Sequence, residues 1–330
     1  MTDAPAEDMA EDVRAGEPLA GNAVILMYHR IADDGTDLCV PPAEFRAHMA
    51  LLREAGYRVL PLPELAAALA RGDAPEKSVA ITLDDGYLDA LTHAVPILQE
   101  FDHPATFFII SSTLDETSEF WWEALERVFA HDGLPAMLDV ALADGAEPMP
   151  TRTPDEIRAA FDAVRRTFYT LPLEGQRERV ATLLRWAGLP PAEATRPIRP
   201  MTPEEIRALD RLPGMEIGAH TAHHLLLPAQ SAATKEHEIA HCKQRLEALL
   251  GHAVQSLSYP HGAFDAETVD VTGRAGFAVA VTTGNQPAWR RSHPLVLPRC
   301  AVQAGDDFGA RLQAMFAMPP QPHHFDRTFA

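Results

Sequence analysis

Cysteine, positive charge and long apolar runs are all scarce in this chain. Three cysteines in 330 residues (Cys39, Cys242 and Cys300), far apart and without a Cys-x-x-Cys pair, exclude a disulfide framework and a cysteine-rich zinc site. They read as buried thiols. Only 28 basic residues stand against 47 acidic ones, a formal net charge of -19. Such a surface repels a phosphate backbone, so no nucleic-acid partner is expected. No apolar run approaches the roughly 20 residues that span a bilayer. The opening MTDAPAEDMAEDVRAGEPLAG carries acids where a secretory leader has a basic start and an apolar core. The expectation is a soluble, cytoplasmic protein without an integral membrane segment. Its oligomeric state has no readable signature.

At 46% apolar and 23% charged residues, the composition is that of a globular α/β protein. Short apolar runs alternate with helical patterns: VILMY (24–28), YRVL (57–60), SVAITL (78–83), ATFFII (105–110), MEIGA (215–219), SLSY (256–259) and FAVAVTT (277–283). Continuous apolar strands separated by helices indicate a parallel sheet, and seven are enough to curl into a closed or nearly closed α/β barrel. From Ser118 to about Pro200 the rhythm stops and several helices separated by Pro and Gly replace it. The division is therefore a mobile acidic N-terminus (1–21), a barrel (22–310) with a mostly helical insertion at about 118–200, and a C-terminal tail (311–330).

Two helix starts are marked by Thr-Pro-acid-Glu, at Thr153–Glu156 and Thr202–Glu205: a threonine cap, proline at the first helical position and acids in the first turn. Phe120, Trp121 and Trp122 open the insertion. With Leu125 and Val128 following, they read as helix packing in preference to a sugar-stacking platform. The insertion itself could cover the barrel mouth or form a dimer contact.

Polar clusters follow four of the strand runs. Asp84-Asp85-Gly86 ends SVAITL; alone it suits a tight turn or a helix cap, or two carboxylates that diverge into two jobs. His220, His223 and His224 follow MEIGA, and histidines three or four apart on a helical turn can share one metal ion. His237 and His241 have the same spacing, but they lie opposite the apolar face of Ile239, Cys242, Leu246 and Leu249 and read as solvated and inert. His29 follows VILMY, and Tyr259-Pro260-His261-Gly262 follows SLS. In an α/β barrel all these strand ends converge on one mouth, where the chemistry is done.

TLDDG (82–86) and HTAHH (220–224), with Ile217-Gly218 before the histidine and Leu227 beyond it, resemble the first two motifs of the NodB-homology polysaccharide deacetylases, carbohydrate esterase family 4. The resemblance spans about 22–115 and 200–300. It implies a distorted (β/α)7-type barrel, Asp84 as catalytic base, and Asp85, His220 and His224 as ligands of a divalent metal, with no such role for His223. The family's third motif carries an arginine before a Pro-Pro-Tyr turn, whereas SYPHGAFD has none. The later Asp-Trp motif is not recognisable, and the late Leu-x-His that supplies the general acid is replaced by LVLPRC with Arg299. The family's circularly permuted exopolysaccharide deacetylases, which act on poly-N-acetylglucosamine, carry that histidine early in Met-Tyr-His. Met27-Tyr28-His29 matches, which makes His29 the candidate acid.

The implied reaction is hydrolysis of an N-acetyl group on an acetamido sugar. Metal-activated water attacks, Asp84 takes the proton, and Tyr259, Pro260 and His261 are the oxyanion and substrate candidates. Zinc is the expected ion, although iron, cobalt or nickel suits the same ligands. Without a leader, a nucleotide- or lipid-linked precursor is a more accessible substrate than an external polymer. A non-catalytic carbohydrate-binding descendant and a two-histidine, one-carboxylate iron enzyme are the competing readings.

Overall fold

A computed structural model describes residues 21–36, 38–115, 119–140, 147–192, 198–290 and 292–319; most of the expected N-terminal segment and the last residues of the tail lie outside these. Seven parallel strands form the sheet path: β1 (Ala23–Tyr28), β2 (Ser78–Leu83), β3 (Ala105–Ile109), β4 (Met215–Ala219), β5 (Ser256–Ser258), β6 (Val279–Val281) and β7 (Cys300–Ala301). Their order is β6-β5-β4-β3-β2-β1-β7. This is the distorted (β/α)7-type barrel expected from the sequence.

One strand of the seven differs. YRVL contributes only Arg58–Val59, which pairs with Ser78 and Val79 at the beginning of β2, before β3 takes over that edge at Thr82. The seventh strand is Cys300–Ala301, paired with Leu26 and Met27 of β1. The segment before it runs beside β6: Leu297 N–H donates to the Ala280 carbonyl and Thr282 N–H to the Leu297 carbonyl, both at 2.9 Å. One extended stretch thus links the two edges of the sheet.

Alternation along the strands decides what each face does. Val79, Ile81 and Leu83 point outward into the main apolar core with Val24, Leu26, Tyr28, Phe107 and Ile217. Ile25, Ala80, Phe108, Val279 and Val281 form a smaller inner cluster, joined by Leu62, Leu65 and Leu69 of the helix Leu62–Arg71. Continuing the inward parity past each strand end leads to His29, Asp84 and His220.

Residues 119–192 contain α1 (Trp121–Phe129), α2 (Pro154–Phe168) and α3 (Leu173–Ala187). These pack around their own core of Trp121, Leu125, Val128, Val164, Phe168 and Leu183. Both Thr-Pro starts are capped as their sequences predict. Glu156 N–H donates to Thr153 Oγ1 at 3.3 Å and Glu205 N–H to Thr202 Oγ1 at 3.2 Å, with each glutamate accepting from its threonine N–H in return. The expected boundary at 310/311 falls inside a helix, Phe308–Ala317, which buries Phe308, Leu312 and Met315. Its apolar spacing outweighs the proline-broken sequence after it. All three cysteines are buried and free.

Candidate active site

The turn after β2 separates its two carboxylates by backbone conformation. Asp85 is left-handed (φ 71°), as is Gly86 after it (φ 73°), and a Cβ at Gly86 would lie 2.9 Å from Ile109 Cδ1. Thr221, His224 and His261 are left-handed as well. A non-glycine residue there costs on the order of 1–3 kcal/mol, and four of them border this one mouth. The loop carrying the histidines is held on two sides. His220 N–H donates to the Ile109 carbonyl, Ser111 N–H to the Thr221 carbonyl, and Ala222 N–H to the Glu238 carbonyl.

Asp85, His220 and His224 converge, each with one ligand atom within 4.8 Å of the others. Asp85 Oδ1 lies 3.4 Å from His220 Nε2 and 3.7 Å from His224 Nε2. His220 Nδ1–H donates to the Ser258 carbonyl at 2.7 Å, which leaves Nε2 as the lone-pair atom facing the carboxylate. Asp85 Oδ1 is buried without a hydrogen-bond partner. A buried anionic oxygen beside two imidazole nitrogens is costly as it stands and suits a divalent cation in its donor types, so the residues fit a metal. Burial and then His261 and His220 push His224 well below the ordinary imidazole range. For His220 burial works in the same direction, but Asp84 and Asp85 reverse it and raise its pKa.

Asp84 has a separate setting. Arg299 grips it with two bonds, Nη1 to Oδ1 and Nη2 to Oδ2, both 2.7 Å. Arg299 also donates to Thr82 Oγ1, Ser258 Oγ and the Thr282 carbonyl. Burial would raise the Asp84 carboxyl, but Arg299 and His220 overcome it and hold it well below the usual carboxylate range. The arginine missing from SYPHGAFD therefore has a counterpart reaching the same mouth from the start of β7. Its sequence signal is an arginine directly after the apolar run LVLP.

His29, Asp84, Asp85, His220, His224, His261 and Arg299 line one cavity of about 220 Å³. Tyr259 borders the same cavity, but with neither its N–H nor its hydroxyl turned into it. Its N–H is committed to the Val281 carbonyl, and its hydroxyl donates to the Leu295 carbonyl, 2.9 Å away behind the sheet, because its parity places the ring in the outer core. Pro260 has no N–H and is buried in the turn; His261 packs against His224 with ring centroids 4.6 Å apart. His223 points away from the triplet, donating its N–H and Nδ1–H to the buried Glu238 at 2.8 and 2.7 Å. His237 and His241 stack on each other in a π-turn.

The tryptophan pair is split. Trp121 packs on Phe168 inside the helical unit and only edges the cavity, whereas the Trp122 ring lies 4.8 Å from that of His224. Spacing could not separate them, because neighbours on a helix differ only in which face meets a partner.

A parallel barrel with an Asp-His-His triplet and a separately clamped aspartate at its strand ends defines a barrel protein with a candidate metal centre at the mouth. Residues 71–280 match the family model described as Polysaccharide deacetylase, and the chain belongs to that family, whose members hydrolyse amide bonds. It is 24% identical over 295 residues to "Putative polysaccharide deacetylase YxkH" of Bacillus subtilis (strain 168), covering 88% of this chain and 76% of that protein. Over 114 residues it is 32% identical to the Poly-beta-1,6-N-acetyl-D-glucosamine N-deacetylase of Escherichia coli (strain K12), 33% of this chain and 17% of that protein. The fold matches the Streptococcus pyogenes deacetylase PplD, solved in complex with acetate, at a TM-score of 0.61 and 20% identity, over 89% of this chain and 98% of that one.

Proposed function

We propose that this protein is a metal-dependent hydrolase that removes the N-acetyl group from an acetamido sugar, in a polysaccharide or in its nucleotide- or lipid-linked precursor. The observation that carries the reading is the junction of two different carboxylate environments in one cavity: Asp85 in a metal-type triplet, and Asp84 ionised and clamped by Arg299.

Asp85, His220 and His224 would hold the cation, for which zinc suits the two-imidazole, one-carboxylate set. When bound, a divalent ion there polarises the acetyl carbonyl and lowers the pKa of water. Asp84 takes a proton from the water as its oxygen attacks the acetyl carbon. His29 lines the same cavity and its charge favours the ionised form of Asp84; protonated, it donates to the sugar nitrogen as the carbon–nitrogen bond breaks. The amide and one water become acetate and a free amine. Arg299 supports this catalytic reading over a non-catalytic one, because a mere binding fold has no use for a buried ionised aspartate oriented by two bonds.

The test is metal content and acetate release from N-acetylated sugars, for the purified protein and its Asp84→Asn variant. Metal-dependent release that is lost in the variant is expected. Metal-replete protein that releases acetate from no acetylated substrate would overturn the proposal.

A further inference from the structure

The helical unit is mounted on the catalytic turn itself. Leu88 N–H donates to the Arg199 carbonyl at 2.9 Å and Met201 N–H to the Gly86 carbonyl at 2.8 Å, so the C-terminal root of the insertion is stitched to the residues just after Asp84-Asp85. On its opposite side, Trp122 Nε1–H donates to Tyr87 Oη at 2.8 Å. The Phe120 ring stacks on Trp122 and meets the Tyr87 ring edge-on. Tyr169, just past α2, meets His261 with centroids 5.0 Å apart. Backbone and side-chain bonds therefore fix this roof, with Trp122 over His224 and Tyr169 over His261.

The roof changes what the mouth can admit. Beneath it, the half-open cavity of about 220 Å³ falls below the roughly 300–1,000 Å³ typical of sites for a drug-sized ligand. Its floor is polar, and its upper wall sets Trp122, Leu125, Phe161 and Tyr169 beside the charged Glu126 and Arg165. That layering fits one pyranose ring, its acetamido arm toward the triplet and its C–H face against the aromatics. An internal residue of a polymer needs open passage for chain on both sides of the reacting sugar, and the roof occupies the space above His224 and His261.

We infer that the site takes a single acetamido sugar, either at the end of a chain or alone on a compact carrier, and excludes internal residues of a long polymer. This rests on the deacetylase reading. Trp122, which lines the cavity beside His224, is the specificity-determining residue.

The test uses N-acetylglucosamine and its β-1,4- and β-1,6-linked oligomers up to the hexamer. Metal-loaded wild type is assayed for acetate release, with the deacetylated position mapped by mass spectrometry. Binding of the same ligands to Asp84→Asn protein is measured by calorimetry. Deacetylation confined to an end residue is expected, with kcat/KM and affinity varying by no more than about threefold with length. Trp122→Ala should open internal positions, raising their turnover at least about tenfold. Internal deacetylation by the wild type, affinity climbing more than about tenfold with length, or absence of binding by every sugar overturns the inference. Sugars bound at an end without acetate release would instead sink the deacetylase reading alone. The wild-type product map decides the question even if Trp122→Ala fails to fold.

Discussion

Arg299 and Asp84, 215 residues apart, form a fully buried pair joined by two parallel 2.7 Å bonds. Such a fork fixes the plane of the carboxylate, so one lone pair of the proposed base is aimed by geometry and not by chance contact. Removing the arginine leaves an uncompensated buried charge, which costs about 3–5 kcal/mol. Arg299→Ala is therefore expected to lower the unfolding midpoint sharply and to cut acetate release at least about a hundredfold. Arg299→Lys keeps the charge without the fork and should recover much of the stability but little of the activity. Equal recovery of both would argue against an orienting role.

Metal removal should act through Asp85, His220 and His224 together. A chelator is expected to abolish acetate release, and one equivalent of zinc should restore it. Bound zinc should also raise thermal stability, by about 2.7 kcal/mol when free ion is a hundredfold above Kd. His220→Ala and Asp85→Ala should lose this stabilisation as well as activity, which calorimetry and melting curves with and without zinc would show.

Glu238 is buried and holds the histidine loop by both His223 hydrogen bonds and by its own carbonyl. The π-turn 237–241 brings it to that position. Glu238→Gln keeps the shape but loses one acceptor toward His223, so the loop should place His224 less well. The expected result is a 10- to 100-fold weaker zinc affinity, roughly the effect of removing an outer partner from a ligand, with kcat of the fully loaded protein reduced much less. Unchanged affinity would show that the loop is self-supporting.

Glu216, on the inward face of β4, accepts from Thr106 Oγ1 and Ser256 Oγ, and burial lifts its carboxyl from 4.5 to about 7. Below pH 4.5 both folded and unfolded chains carry the proton. Between 4.5 and 7 only the folded chain keeps it, so its contribution to stability falls by about 1.4 kcal/mol per pH unit as pH rises. Above 7 the loss is complete, about 3 kcal/mol in all. Denaturant midpoints from pH 5 to 8 for wild type and Glu216→Gln should diverge, with the variant gaining as pH rises. Parallel curves would refute the assignment.

Local chemistry made much of this protein legible from its sequence. All seven strand runs, YRVL only as the short pair Arg58–Val59, both Thr-Pro helix starts and the clusters at 84–85 and 220–224 lie where apolar pattern and turn chemistry put them, because a strand's parity and a helix cap depend only on nearby residues. β7 escaped because its two residues carry no pattern of their own; a neighbouring edge alone makes them a strand.

The tertiary structure decided which side chains meet. Arg299 looked like a departure from the deacetylase motif until folding carried it to Asp84. Tyr259 turned behind the sheet because its parity opposes that of Ser258, and Trp122 left the packing role of Trp121 when its face of α1 met Tyr87 and His224. The sequence alone determined which chemistry the chain can perform, since residue types and spacing limit ligands and bases. Only the fold determined how that chemistry is oriented and how much room it has, because both depend on contacts between residues far apart in the chain.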